Sequence, residues 1–364
     1  MEQTKEAKKA VIEDQQSGPV NTQRRSDYPF VPSKPVQKRS CRRCTIMRME
    51  IAPLRDGSVN ELETVFREEI ETWSRQLSWD YRPAQTLIKT YLAVGSMPGF
   101  AVKNDQGAVV GYIYFVIDRP VAFIGGAYVL DRYAGLEPYS LLLNRCISFL
   151  TKLKTVDRIE TQLFPFNFES EPLLRAMQFS TLKRFFLTLE LAGDVPTTTA
   201  ATPGSTQSSQ FRIVDWSQKL VKHSARVIYD SHIATPDRFL CRDYQTEKGS
   251  FRLLSNLIDH PACGQFSPRE TKLAVDSEDR LCGILVASRI KPDTGMVPQL
   301  SVRRDCQGKG LGSMLMRSYL QGAKKVGLRR TTLSVSEANT RALKLYSKLG
   351  FKPLKEFHAY VWQR

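Results

Sequence analysis

The stretch Gln307-Gly308-Lys309-Gly310-Leu311-Gly312 has the residue types of an anion site. An apolar run from Met296 to Val302 precedes it and fits a strand. An apolar-periodic run from Leu311 to Val326 follows it and fits a helix. The first amides of a helix have no intrahelical partner and lie at the positive end of its dipole, so they favour a negative ligand. Glycines permit positive φ and let a ligand come close to those amides. The stretch is therefore expected to cradle a pyrophosphate. Spacing excludes two common phosphate loops. A P-loop needs G-x-x-x-x-G-K-S/T, and the residue five after Gly308 is Ser313. A dinucleotide fingerprint, G-x-G-x-x-G, needs a third glycine where Ser313 or Leu315 stands.

The pattern that does fit is Q/R-x-x-G-x-G/A. Downstream, Thr331 to Val335 is a short β-branched strand candidate. Asn339 is a good helix N-cap, and Thr340 to Leu349 fits a helix ended by Gly350. Phe357 to Trp362 fits a last strand. The string from Asn339 through Ala342, Leu345 and Tyr346 to Gly350 and Phe351 matches N-x-x-A-x-x-L-Y-x-x-x-G-F. With both motifs in this order, about residues 270–364 resemble the GNAT family of N-acetyltransferases.

The resemblance implies acetyl-coenzyme A as co-substrate and transfer of its acetyl group to an amine. In that family the motif strand and the next strand splay apart, and the pantetheine arm lies along the exposed edge. Here those strands are Pro298 to Val302 and Thr331 to Val335. The resemblance implies coenzyme contacts from Leu300, Ser301 and Val302. It assigns the pyrophosphate to Gln307, Gly308, Lys309, Gly310, Leu311, Gly312 and Ser313, and a contact with the coenzyme arm to Asn339. Tyr346 is the candidate general acid, because a phenol stays protonated at neutral pH and can give its proton to the departing thiolate. The general base is not evident. Many family members carry Glu where Gln299 stands, and glutamine is no base. Glu337, His232, His260 and His358 are the alternatives.

The first half of the chain looks like a decayed copy of the second. Asn167 and Phe179 stand 172 positions before Asn339 and Phe351, and the same offset aligns Gly111 with Gly283, Arg145 with Arg317 and Leu173 with Leu345. In the copy the glycine loop becomes Gly135-Leu136-Glu137-Pro138-Tyr139-Ser140, and Tyr346 becomes Leu174. Glu137 opposes a phosphate, and Pro138 removes an amide donor. The first unit is thus expected to be structural or to shape the acceptor pocket. First strands are expected at Met49 to Pro53 and Phe211 to Val214. The second unit carries about ten extra residues, around Ser231 to Ser250 and His260 to Pro268, where specificity is expected to lie.

The expected fold is therefore α/β (α+β), with two tandem GNAT-like domains, each a mixed, mostly antiparallel sheet flanked by helices. Residues 1–47 form a basic tail expected to be disordered, 48–192 the degenerate unit, 193–210 a flexible linker rich in Thr, Ser and Pro, and 211–364 the acetyltransferase domain. The acceptor is expected to be an amine-bearing small molecule, a protein N-terminus or a lysine. Two other functions fit the same fold: a coenzyme A-binding regulatory module without turnover, and an aminoacyl or longer-chain acyltransferase.

The 364 residues carry a net charge of +16, spread along the chain, and a solvated basic surface accounts for it better than a nucleic-acid partner does. No run of about 20 apolar residues and no apolar leader is present, so neither a membrane span nor a secretory signal is expected. The seven scattered cysteines suit a reducing compartment, and a cytoplasmic location is expected. Cys41 and Cys44 form a single CxxC with no nearby partner ligands, so no metal is expected. The sequence does not indicate an oligomeric state.

Overall fold

In the sequence, helix and strand patterns alternate so that each apolar face needs a partner layer. The computed structural model, which describes residues 49–133, 137–162, 171–191 and 210–364, shows how those faces are covered. In chain order the first half holds β1 (Glu50–Pro53), α1 (Val59–Leu77), α2 (Arg82–Ala93), β2 (Gly99–Lys103), β3 (Val109–Asp118), β4 (Val121–Val129), α3 (Pro138–Lys152), β5 (Arg158–Thr161), α4 (Glu171–Ala176) and β6 (Ser180–Glu190). The second half holds β7 (Phe211–Asp215), α5 (Val221–His232), α6 (Asp237–Leu240), α7 (Glu247–Asp259), β8 (Gln265–Phe266), β9 (Lys272–Asp276), β10 (Leu281–Lys291), β11 (Thr294–Val302), α8 (Leu311–Lys325), β12 (Arg330–Ser336), α9 (Thr340–Lys348) and β13 (Lys352–Gln363). The two lists run in step, with α6 and β8 as the additions in the second half. The basic tail, the linker except its last residue, the CxxC, Gly135, Leu136 and Asn167 lie outside the described residues.

The strands form one continuous sheet in the order β1-β2-β3-β4-β5-β13-β6-β12-β11-β10-β9-β7, with β8 added on β10. Among the described residues, β4–β5 and β11–β12 are parallel, and the other ladders are antiparallel. This departs from the expectation of two separate sheets. The last strands are exchanged: β6 of the first half pairs with β12 of the second, and β13 of the second half pairs with β5 of the first. β6 and β13 then pair with each other across the centre. The exchange leaves neither β5 nor β12 as an open edge, which removes a liability to non-specific pairing.

Helices cover both faces, so the central strands lose alternation. Cys282 through Ala287 of β10 are buried without a break, as expected for a strand sandwiched between helix layers. Helix α8 turns Leu311, Leu315, Met316, Tyr319, Leu320 and Ala323 onto one face against β9, β10 and β11. Helix α9 starts where Asn339 Oδ1 accepts the Ala342 amide at 3.2 Å. It stops where Gly350, at φ +90°, lets the Phe351 amide reach back to the Tyr346 carbonyl at 3.0 Å. Both ends fall where the side-chain types place them.

Candidate active site

The parallel ladder between β11 and β12 pairs Thr294–Val297 with Arg330–Leu333 and then stops. Pro298 follows on β11 with no amide to offer. β11 continues to Val302 against β10, and β12 continues to Ser336 against β6, so a gap opens between them. A cavity of about 500 Å³ occupies this gap. Arg303 donates its amide to the Cys282 carbonyl on the β10 side. Alternation along the strand therefore turns the Leu300 and Val302 amides to the opposite, cavity edge.

The glycine loop closes one end. Gly308 and Gly310 have φ of +80° and +84°, and a β-carbon added to either would meet no atom within 4 Å. Protein does not crowd these positions; the space above them is open. Gly310 precedes α8 without a side-chain cap, so the first amides of α8 are left for a ligand. Gln307 staples the loop: its Nε2 donates to the Val302 carbonyl at 3.0 Å, and its Oε1 accepts from Arg341 Nη1 at 2.8 Å. Arg341, Lys344 and Lys348 lie on α9 along the cavity wall and add positive charge beside the loop.

Of the residues expected to form the site, Leu300, Ser301, Val302, Gln307, Gly308, Gly310, Leu311, Gly312, Ser313, Asn339 and Tyr346 all line this cavity. Lys309 is exposed and is not among the lining residues. The Asn339 side chain is already engaged, capping α9 with its oxygen and holding Asp237 Oδ2 with its Nδ2 at 3.3 Å. Tyr346 is 7% exposed. Its hydroxyl makes no hydrogen bond among the described residues, and burial, with a contribution from Asp237, raises its pKa further. It is a protonated phenol at any physiological pH.

The opposite wall was only partly foreseen. Gln299 is held by Tyr244, whose hydroxyl donates to Gln299 Oε1 at 2.9 Å, and Gln299 Nε2 donates to Ser301 Oγ at 2.8 Å. Ser301 Oγ is hydrogen-bonded to Ser231 Oγ at 2.9 Å. The His232 ring stacks on Tyr244, centroids 3.7 Å apart and 2° from parallel. Of the four alternative bases, His232 lines the cavity. Glu337 pairs with Lys183, His358 with Glu171, and His260 is exposed. Asp237 accepts from Ser336 Oγ and faces Arg184 Nη1 at 3.6 Å. Arg184 comes from β6, so the strand exchange carries a first-half side chain into a second-half cavity. Tyr244, Ser231 and Asp237 fall in the Ser231–Ser250 stretch flagged as the specificity region. Arg184 had no sequence signal.

The corresponding space in the first half is filled by aromatic rings. Tyr139 is fully buried, and its hydroxyl accepts the Val129 amide at 3.2 Å. Val129 pairs with Gly111 as Val302 pairs with Gly283, so this phenol occupies the edge that is open on β11. The Tyr114 ring lies over Gly125, where a β-carbon would come within 2.3 Å of it. Leu174, at the Tyr346 position, is core.

Residues 237–351 match the Acetyltransferase (GNAT) family. This stretch is a GNAT domain. Mycothiol acetyltransferase of Actinosynnema mirum is 40% identical over 83 residues, which are 23% of this chain and 28% of that protein. Human N-acetyltransferase 8B is 30% identical over 94 residues, 24% of this chain and 41% of that protein. The matches span between 26% and 48% of the lengths of these relatives. Whole-chain likeness comes from solved structures. A GCN5-related N-acetyltransferase from Sphaerobacter thermophilus superposes with a TM-score of 0.59 at 13% identity, covering 87% of this chain and 95% of that one. A tandem GNAT protein from the clavulanic acid biosynthesis pathway gives 0.54 at 15% identity, covering 87% and 98%. The chain thus has a tandem GNAT fold. Among the described residues, no helix is long and apolar enough to cross a membrane, and no cluster of three or more metal-ligating side chains occurs.

Proposed function

We propose that the chain is an acetyl-coenzyme A-dependent N-acetyltransferase whose reaction takes place in the cavity between β11 and β12. One observation carries the reading: a single cavity joins the free β11 edge, the uncapped start of α8 with its two positive-φ glycines, and the Tyr346 hydroxyl. The residues fit coenzyme A. The Leu300 and Val302 backbone would pair the pantetheine arm, and the amides from Gly308 to Ser313 would receive the pyrophosphate. The three α9 cations would attract the remaining phosphate. The acetyl thioester supplies an activated carbonyl; holding it beside an amine provides most of the entropic gain. A backbone amide on the β11 edge would stabilise the oxyanion, and Tyr346 would protonate the leaving thiolate.

The domain division follows the same reading. Residues 211–364 carry the chemistry, and 48–192 complete the sheet and contribute Arg184. The acceptor is an amine on a small molecule, a protein N-terminus or a lysine. Mycothiol acetyltransferase carries a molecule in its name and N-acetyltransferase 8B carries none, so the names do not choose among these. The test is an acceptor panel with acetyl-coenzyme A, followed by thiol release. Release with at least one amine, lost in Gly310→Pro, supports the reading. Binding without release from any amine would favour the regulatory module. Faster turnover with aminoacyl or longer acyl donors would favour the third function.

A further inference from the structure

The cavity contains a proton donor, but the position where the family often has a carboxylate base holds Gln299. Gln299 is locked on both sides, by Tyr244 and Ser301, and neither group can relay a proton to a base through it. Resting on the reading above, we propose that His232, at the end of α5, is the group that takes the proton from the acceptor ammonium.

His232 is 9% exposed and lines the cavity that is also lined by Gln299, Ser301 and Tyr346. Its Nδ1 lies 2.8 Å from the Ile228 carbonyl. A carbonyl can only accept, so Nδ1 carries the hydrogen and the neutral ring presents a bare Nε2. That Nε2 makes no hydrogen bond among the described residues and is not sealed from the cavity. The Tyr244 ring fixes the imidazole plane from one face, and Ser231 Oγ lies 2.9 Å from Nδ1. The charged groups facing the ring are Asp237 on α6 and Arg184 on β6. Tyr244 is the titratable group on its face, β11 presents the uncharged Gln299 and Ser301, and α9 contributes Tyr346 to the same cavity. Burial is the largest influence on the ring and pushes its pKa below the usual 6.5, against the opposing pull of the Ile228 carbonyl and Asp237. The ring is therefore unprotonated at neutral pH, which is the form a base requires.

Atoms balance as follows. Nε2 takes one proton from the ammonium and later passes it to solvent. The freed amine forms the N–C bond to the acetyl carbonyl, and the C–S bond breaks. The thiolate takes the Tyr346 proton, and the second proton of the nitrogen restores the phenol.

The test uses the full chain with acetyl-coenzyme A and two probes, ethylamine, which is protonated at pH 7, and hydroxylamine, which is not. His232→Ala should keep its acetyl-coenzyme A affinity by calorimetry and lose roughly a hundredfold or more in kcat with ethylamine. It should lose much less with hydroxylamine, and added imidazole should restore part of the ethylamine rate. Equal losses with both amines, or no loss, would overturn the assignment. A wild-type chain that binds no acetyl-coenzyme A would instead overturn the function proposed above. Should His232→Ala fail to fold, nitrogen NMR of the wild type decides. The His232 ring must titrate below 6.5 as the Nδ1–H tautomer, and an Nε2–H tautomer would refute the proposal.

Discussion

Two glycines at opposite ends of α8 offer a controlled experiment on the coenzyme loop. Gly310 before the helix and Gly327 after it have φ of +84° and +80°, and neither would place a β-carbon within 4 Å of another atom. Alanine at either site therefore meets the same penalty, the left-handed backbone, about 1–2 kcal/mol. Such a loss lowers Tm by about 2–4 °C per kcal/mol in domains of roughly 150–250 residues. The two variants should melt alike. They should bind acetyl-coenzyme A differently, because only Gly310 adjoins the first amides of α8, where the pyrophosphate is proposed to sit. Hydrogen bonds to a charged group are worth about 1.5–3 kcal/mol. Losing one should weaken binding about tenfold to a hundredfold for Gly310→Ala and leave Gly327→Ala unchanged. Calorimetry with paired melting curves measures both quantities. If Gly310→Ala binds as Gly327→Ala does, the loop is an ordinary strand-to-helix turn and the cradle argument fails.

Two more outcomes follow from buried groups on either half. Tyr346→Phe keeps the ring that packs beside Phe351 and loses the proton, so kcat should fall about a hundredfold, roughly 3 kcal/mol of barrier, with acetyl-coenzyme A affinity nearly unchanged. Leu174→Ala, at the matching first-half position, should cost about 2–5 kcal/mol of stability without a specific effect on chemistry; near-native kcat in Tyr346→Phe would make Tyr346 a packing residue. Glu69, 2% exposed, accepts from the Tyr112 hydroxyl at 2.7 Å, and burial, opposed by that and other hydrogen bonds, raises its pKa to about 7. A raised folded-state pKa means the stabilisation is complete below the unfolded value near 4.5 and is lost as pH climbs towards 7. Urea titrations should show stability falling by about 3 kcal/mol across that window, and Glu69→Gln should flatten the fall; an unchanged slope would remove Glu69 as its source.

The loop and both helices of the site were legible because their signals are local. Glycine at 308, 310 and 350 marks positive φ, and Asn339 marks a cap. The order of elements in the two halves also agrees, but the constant 172 offset does not hold: Gly111 and Gly283 stand 172 apart while their partners Val129 and Val302 stand 173 apart, as do the starts of α3 and α8, and β5 and β12 return to 172. What was hidden is long-range. The Phe357–Trp362 stretch says strand, but its pattern does not say which edge it joins, and β5 and β12 are equivalent offers. The exchange therefore left no trace, and neither did Arg184, which reaches the cavity only through it. The first residues of β13, Lys352 to Glu356, were missed because a polar run with a proline does not look like a strand; it pairs with β6 around a bulge at Leu354. His232 was one histidine among four until the fold stacked it on Tyr244 and pinned its Nδ1.

The most direct test of the account is the stoichiometry of acetyl-coenzyme A on the intact chain. With the β11 edge open and its β4 counterpart occupied by Tyr139, calorimetry should return one site per chain, and Gly310→Pro should abolish it. Two equivalent sites, or one site that survives Gly310→Pro, would contradict the assignment of the coenzyme to the second half.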